Sequence, residues 1–110
     1  MRRNSLMNLT EERFHDEVMQ SDLPVLIDFW APLCGPCRTF GPMIEEMAER
    51  YRGRIKIGKM NIGDNFRIST SFGVKRIPTL ILFKNGKAVD QINGAIPEGK
   101  LKELIEKSIE

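Results

Sequence analysis

The sequence predicts an α/β domain in which helices cover both faces of a mixed β-sheet. Short apolar runs rich in β-branched and aromatic residues alternate with stretches of helical periodicity. An Asn85-Gly86 pair separates two further strand-like runs, which is a strong short signal for a hairpin and so for antiparallel pairing. At 110 residues, with no internal repeat and no linker, the whole of 1–110 is expected to form one domain.

The elements follow in order. A short apolar stretch opens the chain, and Thr10 is placed to cap a helix over about 11–20, with Phe14 and Val18 on one face. PVLIDFW (24–30) reads as a buried strand opened by a proline. A helix begins at the cysteines and runs to about Arg52, with Phe40, Met43, Ile44, Met47, Ala48 and Tyr51 at helical spacing. Pro42 inside it removes a backbone hydrogen bond and predicts a kink. RIKIGKMNI (54–62) is a second internal strand, and a short helix over about 65–73 ends at Gly73. PTLILFK (78–84) and KAVDQIN (87–93) form the hairpin. PEGKLKELIEK closes the chain as an amphipathic helix, with Leu101, Leu104, Ile105 and Ile109 on its apolar face.

A composition of 41% hydrophobic and 29% charged residues is that of an ordinary globular protein able to bury a core. The net charge of +2 comes from 17 basic and 15 acidic residues spread along the chain. No basic block points to nucleic acid, and no apolar run approaches a membrane span. Arg2 and Arg3 precede a stretch too short and polar for a signal peptide, and Glu11 and Glu12 argue against a transit peptide. A cytoplasmic, reducing compartment is therefore expected.

The chemistry concentrates in FWAPLCGPCRTFGP (29–42), which holds both cysteines of the chain beside its single tryptophan, Trp30. A structural zinc site needs four ligands, and two cysteines plus His15 on a separate helix fall short. A purely structural disulfide gains little, because the loop it closes encloses only Gly35 and Pro36. Redox catalysis fits better. A strand ending at Trp30 delivers Cys34 to the first turn of a helix, where unpaired backbone N–H groups and the helix dipole favour a thiolate. Lowering a thiol pKa by one unit takes about 1.4 kcal/mol. The dipole supplies about 0.3–1 kcal/mol, so a hydrogen bond from the Cys37 thiol is expected to add the rest. Residues at i and i+3 lie close on one helix face, so the sulfurs can join and part without refolding. Cys34, the more exposed, is the expected nucleophile, and Cys37 the thiol that resolves the mixed disulfide. Pro36 pre-sets the backbone for the helix start.

Two charges interrupt the apolar pattern. Asp28 lies within VLIDFW, where desolvation would raise its pKa towards the operating pH and suit it to carry a proton. A partly solvated edge residue or a helix cap is the alternative. Lys59 shares the strand phase of Ile55 and Ile57, and either reaches water at the strand end or partners Asp28.

These residues resemble the thioredoxin family. DFWAPLCGPCR resembles its active-site strand and helix start, KRIPTLILFKNGK its proline loop and hairpin, and INGAIP its later glycine turn. Trp-x-x-x-Cys-Gly-Pro-Cys, with Ile-Pro-Thr about 40 residues later, is the specific part of the match, which extends from about residue 6 to 109. The resemblance implies a thioredoxin fold: a five-stranded mixed sheet in the order 1-3-2-4-5, its last two strands antiparallel, flanked by four helices. It implies Cys34 as nucleophile and Cys37 as resolving thiol, with Asp28 and Lys59 at the family's buried acid and lysine positions. Pro78 would be a cis-proline beside the dithiol. Backbone groups at Ile77 and Thr79 would receive an extended target segment. Trp30, Gly35, Pro36, Gly94 and Ala95 would complete a shallow apolar rim.

The activity implied is that of a protein-disulfide reductase, recharged by an NADPH-dependent flavoprotein reductase and consumed by disulfide-containing target proteins, with the chain acting as a monomer. No metal and no bound cofactor are expected; the Cys34–Cys37 pair is itself the redox group, and the chain has no nucleotide fingerprint. Leu33 stands where the family usually has tryptophan, Arg38 where lysine is common, and Arg76 where glycine is frequent. These departures bear on partner preference, Arg76 towards acidic partners or simply towards solvent. The alternatives are an oxidase or isomerase on the same fold and a redox-indifferent binding scaffold.

Overall fold

The structure, a computed structural model, describes residues 5–110. Arg2 and Arg3, read above against a targeting segment, lie outside the described residues. Strands β1 (Met7–Asn8), β2 (Val25–Trp30), β3 (Lys56–Asn61), β4 (Thr79–Lys84) and β5 (Lys87–Asn93) form one sheet in the order β1-β3-β2-β4-β5. β1 and β2 both run parallel to β3, whereas β4 is antiparallel to β2 and to β5. This is the order the resemblance implies. β1 is only two residues long, so no alternation marked it within the opening apolar stretch; its pairing, Met7 opposite Gly58, makes it a strand.

Helix α1 (Glu11–Phe14) passes directly into a π-helical turn, His15–Met19. The others are α2 (Gly35–Arg50), α3 (Phe66–Ser71) and α4 (Glu98–Ile109). Side chains of a strand alternate between faces, and β2 shows the result. Val25, Ile27 and Phe29 pack with Phe14, Val18 and Phe83, under α1 and α3. Leu26 packs with Phe40, Ile44, Met47, Leu101 and Ile105, under α2 and α4. Each such side chain contributes about 1.5–3 kcal/mol on leaving water. Both faces of the sheet are thus covered, and β2 lies at its centre.

α2 continues through Pro42 without interruption and stops at Arg50, two residues before the expected end. The buried Tyr51 caps it, and its hydroxyl donates to Glu106 Oε2 on α4 at 2.6 Å. In the hairpin, Asn85 and Gly86 take φ of 54° and 76°. A Cβ on Gly86 would lie 2.9 Å from the Met19 carbonyl oxygen, so this turn needs glycine for space as well as for conformation.

Thr10 is the N-cap residue of α1, but its side chain makes no cap hydrogen bond. Asn65, at the start of α3, accepts the Glu11 N–H at 3.0 Å, and Glu11 Oε2 accepts the Ile68 N–H at 3.1 Å. Each helix start is satisfied by a side chain of the other.

Candidate active site

The dithiol sits where β2 hands over to α2. The Cys34 N–H donates to the Ala31 carbonyl at 3.2 Å, closing a turn after Trp30. Cys34 is the N-cap residue of α2, in extended conformation, and its Sγ accepts the Cys37 N–H at 3.1 Å. Sulfur here takes the place that a serine or aspartate oxygen fills at other helix starts. A thiolate in that place gains both the hydrogen bond and the positive end of the helix dipole. Sequence reasoning identified the dipole and a neighbouring thiol; in the disulfide form the donor to Cys34 Sγ is the Cys37 backbone N–H. Pro36 occupies the first helical turn, where its missing N–H leaves no bond unmade.

Cys34 and Cys37 are joined as a disulfide, with Cα atoms 5.2 Å apart. Cys34 is half-buried, whereas Cys37 is 3% exposed, so a partner can approach the first sulfur and not the second.

Facing Cys34 is the loop before β4, whose Ile77–Pro78 peptide is cis. Cys34 Sγ lies 3.8 Å from the Ile77 carbonyl oxygen. Ile77 is half-buried, and Pro78 is buried. Thr79 is fully buried, in register with Phe29 on β2 and Asn93 on β5, and its hydroxyl donates to the Arg76 carbonyl. Thr79 therefore braces the loop from beneath, while Ile77 faces the dithiol. The Gly94 N–H donates to the Pro78 carbonyl at 2.7 Å, with Gly94 at φ 100°. Next to it the exposed Ala95 shares an open depression of about 390 Å³ with Pro36, Phe40 and Met43. Gly35, Pro36, Ile77, Pro78, Gly94 and Ala95 are thus gathered from three chain segments around one pair of sulfurs.

On β2, two residues before Trp30, Asp28 is 3% exposed, on the strand phase of Leu26 and so on the face that α2 covers. Its Oδ1 is buried without a hydrogen-bond partner among the described residues. Desolvation raises its pKa to about 7, against a smaller downward pull from the charge of Lys59. Lys59 is its register partner on β3. No ion pair joins the two among the described residues; the Lys59 ammonium instead stands 4.8 Å above the centre of the Trp30 ring. Lys59 acts on Asp28 through space, and on Trp30 by cation–π contact. Strand phase indicated the shared face but could not indicate that contact. The Trp30 Nε1 is buried with no partner among the described residues.

The departures from the family pattern lie on the surface. Leu33 is 97% exposed, and Arg38 and Arg76 are exposed. His15 is exposed on the π-turn, and among the described residues no group of three His, Cys, Asp or Glu could hold a metal ion. No helix of the described residues is long and apolar enough to cross a membrane.

The Thioredoxin family model matches residues 5–107. The chain is 45% identical to Thioredoxin 1 of Nostoc sp. over 92% of its own length and 94% of that protein. It is 45% identical to Thioredoxin of Porphyra purpurea, over 96% of this chain and 98% of that one. It is 42% identical to the chloroplastic Thioredoxin M-type of Pisum sativum, over 96% of this chain and 62% of that protein. The matched model, these relatives and the joined cysteines make the chain a thiol–disulfide oxidoreductase that reduces protein disulfides by dithiol–disulfide exchange, and it belongs to the thioredoxin family.

Proposed function

We propose that Cys34 of the reduced protein attacks target disulfides and that Cys37 completes the reduction. The observation that carries these roles is the asymmetry of the pair: Cys34 is half-buried with its sulfur at a helix N-cap, and Cys37 is buried one turn inside. The Cys34 thiolate attacks one target sulfur, forming a mixed disulfide and expelling the other target sulfur as a thiolate, which takes a proton from water. The Cys37 thiol then gives its proton to the Asp28 carboxylate and attacks Cys34. The Cys34–Cys37 disulfide re-forms, and the second target sulfur leaves as a thiolate, which takes the proton held by Asp28 directly or through water. Two electrons and two protons pass to the target.

Asp28 suits this proton transfer because a pKa of about 7 lets it accept and release a proton near neutral pH. Lys59 tunes that carboxyl by its charge. Ile77 presents the loop edge to an extended target, Thr79 and Pro78 hold that edge in place, and Trp30, Gly35, Pro36, Gly94 and Ala95 frame the groove. An NADPH-dependent thioredoxin reductase returns the two electrons. The chain acts as one domain, over 1–110, and as a monomer, in the cytoplasm, where a reducing milieu keeps its dithiol available.

A Cys37→Ser variant, mixed with a protein disulfide, is expected to accumulate a mixed disulfide at Cys34, detected by intact mass and peptide mapping. A Cys34→Ser variant is expected to trap none. Trapping at Cys37 in the second variant, and none in the first, would reverse the two roles.

A further inference from the structure

We infer that Arg76, supported by Lys75 and Arg38, selects target disulfides that carry an acidic side chain within about two residues of the reacting cysteine. This rests on the reductase reading above and names the substrate class that it prefers. The segments framing the dithiol, 29–42, 72–84 and 91–97, contain no Asp or Glu. Asp28, Asp90 and Glu98 flank these segments, Asp28 being buried; the charged residues nearest in sequence to the cysteines and the Ile77–Pro78 peptide are Arg38, in the first turns of α2, and Lys75 and Arg76, in the loop before β4. The chain as a whole is nearly balanced, at +2, so this one-signed rim is a local feature.

All three residues are exposed, and none of their cationic groups has a hydrogen-bond or ion-pair partner among the described residues. Arg13, Arg50 and Lys56, elsewhere on the surface, are each paired with a glutamate. The Arg76 backbone is also held in place. Its carbonyl accepts the hydroxyl of the fully buried Thr79, and its neighbour Ile77 lies 3.8 Å from Cys34 Sγ. A sulfur attacked by Cys34 must therefore arrive within a residue or so of Arg76. An extended target rises about 3.3 Å per residue, which brings an acid one or two positions from its cysteine within reach of the guanidinium. A guanidinium can then bind the carboxylate through two parallel hydrogen bonds.

The test uses the pre-reduced protein in single turnover with three disulfide peptides that differ only in Glu, Gln or Lys two positions from the reacting cysteine. Each rate is divided by that with dithiothreitol, which removes the intrinsic effect of the flanking charge. Uncharged hydroxyethyl disulfide reports the chemistry alone. The expected result at low salt is a Glu peptide reduced about three- to fivefold faster than the Gln peptide, the scale of one exposed ion pair, with the Lys peptide slowest. Molar salt is expected to close the gap, because its screening length is about 3 Å. Arg76→Gln should close it too, and Arg76→Lys should retain most of it. Equal rates for the Glu and Gln peptides at low salt, or a gap that survives in Arg76→Gln, would overturn the inference while hydroxyethyl disulfide is still reduced. Failure to reduce hydroxyethyl disulfide would overturn the reductase reading itself.

Discussion

Asp28 is an acid where the fold wants an apolar side chain. It is 3% exposed, one of its oxygens has no partner among the described residues, and desolvation raises its pKa from 3.8 to about 7. The folded protein therefore holds a proton that the unfolded chain releases once pH exceeds about 4. The associated stability is full below that pH and is lost as pH rises through about 7. A shift of about three units corresponds to about 4 kcal/mol at most. Asp28→Asn is accordingly expected to raise stability at pH 8–9 by up to that amount and to leave it nearly unchanged at pH 3, as read by urea denaturation at the two pH values. The same variant should slow resolution of the mixed disulfide at pH 7 at least about tenfold, since it cannot take the Cys37 proton. A variant less stable than the parent at pH 8 would contradict the desolvation account. Unchanged resolution would remove Asp28 from the proton transfer. Asp28 was legible in the sequence because a charge breaks an apolar run. The Lys59–Trp30 contact was not, because strand phase fixes the face of a side chain and leaves its reach open.

Local spacing determined most elements here, and the places where it fell short involve two elements rather than one. The Asn85-Gly86 turn of the β4–β5 hairpin and the amphipathic spacing of α4 are local signals, and the elements stand where those signals put them. The capping of α1 is not local. Thr10 has the right residue type and position, yet the Glu11 N–H goes to Asn65, 54 residues away, and Glu11 repays the exchange at Ile68. No window around Thr10 contains that information. Glu11→Ala is therefore expected to destabilise the protein by about 1 kcal/mol, the cost of losing a helix cap, although Glu11 belongs to a different helix from the one it caps. Hydrogen exchange should place the loss at the start of α3. A change confined to α1 would mean that the exchange between the helices contributes nothing. Thr79 teaches the same lesson in the site: the motif marked it as important, while its burial in register with Phe29 and Asn93 depends on strands distant from it in sequence.

At the scale of the molecule, sheet order assembles the site. Because β4 runs antiparallel to β2 and to β5, the end of β2, the start of β4 and the end of β5 meet at one end of the sheet's strands. The dithiol, the cis-proline loop and the Gly94 turn meet there. The whole fold therefore acts on the Cys34–Cys37 bond, and the effect can be read through a thermodynamic cycle. Closing so small a loop in the unfolded chain accounts for only about 1–2 kcal/mol by chain entropy. Anything further must come from the folded site, where the reduced form has to hold a thiolate at the start of α2 and a buried thiol one turn inside. The disulfide form is expected to be the more stable of the two, with a higher denaturant midpoint. The folded pair should then be more reducing than the same pair in the unfolded chain, by about 30 mV for each 1.4 kcal/mol of that difference. Denaturation of both forms and a potential poised against dithiothreitol, followed by thiol alkylation, measure the two sides of the cycle independently. A disulfide form of higher stability, with a potential below the glutathione poise, is what a reductant of protein disulfides requires. A dithiol form of higher stability would make the site an oxidant, because folding would then drive electrons onto the pair instead of off it.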